Sequence, residues 1–189
     1  MGRVRFGKGW VVCGAQARCI HRVVARRPQP QPSNVMNPAT TIAAFLMYAA
    51  LAGLCGAVAM TAVMKLVSRS GWARSDMVIA VGSLFTRTRE TAFSVGLILH
   101  TLSAIVFGQL YTVLLIGLEL SAWPSAFYAG AGFGVFHGLI VSLALCWVVA
   151  DQHPLEEFRR AGVSVALTHF IGHVAYGAVV GLVIAIAPV

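Results

Sequence analysis

The sequence predicts an all-α, polytopic membrane protein: a four-helix transmembrane bundle with a short extra interfacial helix. Three observations carry this. Hydrophobic residues fill 58% of the 189 positions and charged residues only 11%, whereas a soluble domain carries about 25% charged residues. The apolar residues gather into runs that reach or exceed the roughly 20 needed to cross a bilayer as a helix. The polar residues gather between those runs, as connections at the membrane surface require. The lipid bilayer is therefore the expected partner, and a multi-pass placement is the expected localisation.

The formal net charge is +8, and its distribution says more than its size. Arg3, Arg5, Lys8, Arg18, Arg22, Arg26 and Arg27 all precede residue 36, a stretch without an acid. An arginine-rich tail can suit nucleic acid, but nothing here resembles a folded reader and no nucleic acid is expected. Anionic lipid headgroups are the preferred partner for this charge and for the basic loops. Cys55 and Cys146 fall inside apolar runs, where a thiol acts as a small hydrophobe. Cys13 and Cys19 match no zinc-module spacing.

The chain divides at residue 35. Residues 1–35 lack a packable apolar face and end in Pro28-Gln29-Pro30-Gln31-Pro32, an extended polyproline-type segment. They are expected to be a basic, disordered tail, an Arg-rich targeting sequence, or a product of start-site choice. The last is favoured, because Met36-Asn37-Pro38-Ala39-Thr40-Thr41 leads naturally into a helix. Residues 36–189 are the four-helix transmembrane domain.

The first span covers about residues 40–67, with Thr40 or Thr41 as expected N-cap. Residues 68–90 follow, a basic connection containing the apolar stretch Met77-Val78-Ile79-Ala80-Val81-Gly82-Ser83-Leu84-Phe85. That stretch is too short to span and is expected to form an interfacial or packed helix. The second span covers about 91–117. A short turn with Glu119 leads to the third, which begins at Pro124, a favoured first-turn residue, and runs to about Ala150. The short turn predicts antiparallel neighbours. After the polar link 151–162 the fourth span covers about 163–187. The two basic connections hold six arginines and lie on one side, whereas the 118–123 turn has no Lys or Arg. With a start at Met36 the positive-inside rule places the basic loops in the cytoplasm; retention of residues 1–35 argues the opposite.

The chemistry-bearing residues are histidines on small-residue ridges. Residues four apart share a helix face. The second span carries Gly96, His100, Ala104 and Gly108; the third carries Gly130, Gly134, Gly138 and Ser142, with His137 beside them. The fourth carries His169, His173, Gly177 and Gly181. Small ridges are where membrane helices approach closely, so the glycines (Gly96, Gly108, Gly130, Gly134, Gly138, Gly177, Gly181) are read as packing positions. The histidines are expected to face the bundle interior. At 1.5 Å per residue from the basic-loop side, His169 lies about 9 Å deep, His100 about 14 Å, His173 about 15 Å and His137 about 20 Å.

Three uses of His100, His137, His169 and His173 compete. They can ligate a transition metal, or His100 and His173 can ligate a haem; Met60 and Met64 would suit Cu(I) or simply pack. They can line a proton or solute path. Or they can hydrogen-bond across helix interfaces as structural residues, the glycine ridges then serving packing or homo-oligomerisation of a non-catalytic subunit. His153 is expected to be a solvated loop or capping residue. No catalytic residue emerges: His169-Phe170-Ile171-Gly172-His173 lacks the glutamate of a zinc-protease motif, and no phosphate loop or nucleophile elbow is present. The acids all fall in loops or at helix ends, which disfavours a carboxylate-driven proton pump.

Gly134-Val135-Phe136-His137-Gly138, the loop His153-Pro154, and His173-Val174-Ala175-Tyr176-Gly177 give the chain a pattern that resembles small bacterial four-helix membrane proteins of uncharacterised function. The resemblance covers the layout of residues 40–187. It implies a four-helix fold in a bacterial cytoplasmic (inner) membrane and supplies no substrate.

Overall fold

The computed structural model describes residues 2–6, 9–13, 38–73, 76–145, 150–159 and 162–188. The chain divides into two units, residues 1–35 and 36–189. In the first, where the sequence predicts a disordered tail, β1 (Gly2–Phe6) and β2 (Gly9–Cys13) pair antiparallel, with Arg3 opposite Val12 and Arg5 opposite Trp10. Val4, Phe6, Trp10, Val11 and Val12 supply the β-branched and aromatic character that suits a strand. The apolar share is too small for this hairpin to be more than marginally stable alone. Residues 14–37, including the proline-rich stretch, lie outside the described residues.

The second unit is all-α. It consists of α1 (Pro38–Arg69), α2 (Met77–Thr86), α3 (Ala92–Gly117), α4 (Ser125–Ala144), the single turn α5 (Ala150–Gln152) and α6 (Val163–Ile186). Helices α1, α3, α4 and α6 are long and apolar enough to cross a membrane, and α2 is a short apolar helix. The side chains are arranged for lipid rather than water. Large apolar residues such as Val58, Val106, Phe136 and Ile140 point outward, whereas Ala49, Ala52, Ala104 and Ala126 are buried. Between helices in lipid the gain comes from close packing, which small residues permit.

That rule decides which helices become neighbours. Helix α4 packs extensively on α6, α6 on α1, α1 on α3, and α3 on α2, while α3 and α4 touch only slightly. The antiparallel pairing of α3 with α4 expected from their short connection is therefore corrected. The ridge of α3 is divided between two other partners, with Gly96 against α2 and Gly108 against α1. The ridge of α4 is consumed by α6: a Cβ on Gly130 would run into the carbonyl of Gly177, and one on Gly177 into that of Gly130. Neither helix keeps a small face for the other.

One helix end also differs from expectation. Helix α1 begins at Pro38, so Thr40 and Thr41, expected just ahead of the helix, lie within its first turn. The α-helical part of α4 runs to Ala144 and Leu145 keeps helical dihedrals; residues 146–149, on which the end expected near Ala150 depends, lie outside the described residues.

Both basic connections gather at one end. Arg89 pairs with Glu157 and lies 4.0 Å from Asp76, all three side chains being half exposed. Such exposed pairs contribute only about 0–1 kcal/mol. His153 does more. It is buried, not solvated as expected, and its Nε2 lies 3.0 Å from the Ala80 carbonyl of α2. Its Nδ1 accepts from the Leu155 N–H at 3.1 Å, so Nε2 carries the proton of the neutral ring and donates to Ala80.

Candidate functional site: a histidine-lined chamber

Three spans bring histidines to one level. Helix α6 places His169 and His173 one turn apart, both buried. His169 Nδ1 lies 2.8 Å from the Val165 carbonyl and His173 Nδ1 lies 2.7 Å from the His169 carbonyl. A carbonyl only accepts, so each Nδ1 is protonated and each neutral ring keeps a bare Nε2 lone pair. His173 has no hydrogen bond other than the one to His169 among the described residues.

His137 meets this pair from α4. Its ring stands edge to face with His173, centroids 4.7 Å apart, and lies 4.1 Å from Phe107 of α3. Its Nδ1 is 3.3 Å from the Tyr111 hydroxyl. The sequence placed His137 about one turn deeper than His173. The ring contact brings the two to one level. Close approach of α4 to α6 allows the contact, since a Cβ on Gly138 would stand 2.9 Å from the His173 Cβ.

Phe107, His137 and His173, with His100, Ser103, Met60 and Tyr176, line a chamber of about 170 Å³. His100 and Met77 also line a second cavity of about 290 Å³, which reaches Lys65 and Asp76 at the basic-loop end. Deeper in the bundle the way is filled by Leu115, Val180 and Ile184, all essentially fully buried. Tyr176 donates to the Ala104 carbonyl at 2.8 Å and so ties α6 to α3 in the chamber wall. His169 does not line the chamber; His100 does, and is only half buried.

Met60 and Met64 are buried against Gly172. Among the described residues no three His, Cys, Asp or Glu side chains come together to hold a metal ion. A haem fares no better, since pockets for drug-sized ligands already take about 300–1,000 Å³ and the chamber is smaller. The seven packing glycines each face a neighbour within the same chain. Sequence reasoning missed Phe107 and Met77 as wall residues. Phe107 lies seven positions after His100, on the same face, which was the available signal.

The fold and its composition define a multi-pass membrane protein with four candidate spans. Compared with known protein families, curated proteins and solved structures, the chain matches none.

Proposed function

We propose that this membrane protein admits a small polar-headed molecule from its basic-loop end into a blind, histidine-lined chamber in that half of the membrane. One observation carries the reading: His100 is shared by the chamber and by the cavity that reaches Lys65 and Asp76. Burying imidazoles in a membrane segment is costly unless they meet partners or a ligand, and the His173 Nε2 lone pair is left for such a molecule. The filled layer at Leu115, Val180 and Ile184 favours holding a molecule over passing it through. The role is binding rather than catalysis. The resemblance in layout supports a bacterial inner membrane, with the arginines of the connections toward anionic headgroups.

The test is acylation of imidazoles by diethyl pyrocarbonate in native vesicles, read residue by residue by mass spectrometry. His100 should react well before His153, which is 1% exposed, and Ala57→Leu, which fills the chamber wall, should slow it. Equal reactivity of His100 and His153 would sink the reading.

A further inference from the structure

The geometry points to a hydroxylated aromatic ring bearing an apolar tail, a phenol or quinol, as the class of molecule this chamber takes, the tail leaving sideways between α3 and α4. The inference rests on the chamber reading above and adds the ligand's chemistry.

Size comes first. A cavity of about 150 Å³ lined by aliphatic side chains accommodates benzene, and this one is about 170 Å³, room for one ring and its substituent. The walls suit a ring as well. Phe107, His137, His173 and Tyr176 bring four rings to the lining, Phe107 and His173 each packed on His137, and Met60 adds a thioether, a good neighbour for aromatic edges.

Hydrogen bonding then selects the substituent. The donors of the deep wall are spent: His173 Nδ1–H on the His169 carbonyl and the Tyr176 hydroxyl on the Ala104 carbonyl. What His173 and Tyr176 can still offer are lone pairs. His100, which lines the chamber, brings one N–H and one lone pair. A phenolic O–H can donate to His173 Nε2 and accept from His100 at once. A carbonyl or an ether can only accept, and would leave the His173 lone pair unmet, which is costly in a buried site.

The route for a tail follows from packing. The backbones of α3 and α4 stay apart, and the two helices meet through the Phe107–His137 and Tyr111–His137 ring contacts. On the loop side of these Ser103, which lines the chamber, is exposed on the outer surface, with His100 and His137 half buried beside it.

The experiment uses the full chain in mild detergent and titrates three probes of matched shape by calorimetry: para-hexylphenol, para-hexylanisole and hexyl-para-benzoquinone. The phenol should bind about tenfold more tightly than the methyl ether, the equivalent of one hydrogen bond made in a buried site, and more tightly than the quinone. In His173→Phe, which keeps the ring and removes the acceptor, the phenol should fall to the affinity of the anisole while anisole binding persists. Equal affinities for phenol and anisole in the wild type would overturn the proposal without any variant. So would tighter binding of the quinone, or no binding of any probe. Ready acylation of His100 together with equal phenol and anisole affinities would reject the ligand class and leave the chamber reading standing.

Discussion

His137 on α4 and His173 on α6 meet edge to face, with 4.7 Å between ring centroids. The two side chains come from different spans, and each is held by a separate feature. His173 is fixed by the carbonyl one turn earlier, whereas His137 is fixed by Phe107 and Tyr111 of α3. Their meeting depends on how closely α4 approaches α6, and so on glycines that carry no chemistry.

Gly177→Ala should therefore be costly. Its Cβ would collide with the Gly130 carbonyl, and overpacking of this kind typically costs about 1–3 kcal/mol. Gly132→Ala, in the same pair of helices but with nothing within 4 Å of its Cβ, should be neutral or should stabilise by up to about 1 kcal/mol through helix propensity. Thermal unfolding in detergent, comparing the two variants, decides the point; equal midpoints would show that the α4–α6 interface is not backbone-tight.

Replacing His153 with alanine should destabilise the loop end by about 1–3 kcal/mol. The change strands the Leu155 N–H and the second lone pair of the Ala80 carbonyl in a buried site. Arg89→Ala, which removes only half-exposed ion pairs, should cost under about 1 kcal/mol, and the loss should shrink in high salt. The measurement is chemical denaturation at two salt concentrations, and a larger loss for Arg89→Ala than for His153→Ala would reverse the assignment.

Tyr176→Phe should cost about 1 kcal/mol, since the Ala104 carbonyl loses one buried partner while keeping its helical one. Amide hydrogen exchange should show the loosening in α3 around Ala104 and in α6, not in α2. Unchanged protection at Ala104 would mean that the hydroxyl does not tie the two spans.

Much of the fold was legible in the sequence because the rules of lipid are few. Length and hydropathy set the spans, and the glycine periodicity marked the faces on which α3, α4 and α6 pack. Which ridge meets which was not legible, because a small face at Gly96 or Gly130 fits several partners equally well. The adjacency of α3 and α4 was misjudged for that reason. The level of His137 was misjudged because counting from helix ends fixes depth only to within a turn, whereas its contact with His173 depends on how closely α4 and α6 pack. His153 looked like a loop residue, and so it is; its burial depends on Ala80, more than seventy positions away, which no local pattern reports.

The most direct test of the chamber is sided thiol labelling in sealed proteoliposomes. The native cysteines Cys13, Cys19, Cys55 and Cys146 are replaced with serine, and His100→Cys or Leu115→Cys is introduced. A membrane-impermeant methanethiosulfonate is then added from one face at a time. The account predicts that His100→Cys is modified only from the face bearing the basic loops, along the cavity that reaches Lys65 and Asp76. Leu115→Cys, in the filled layer, should be modified from neither face. Modification of His100→Cys from the opposite face, or from neither, would contradict it.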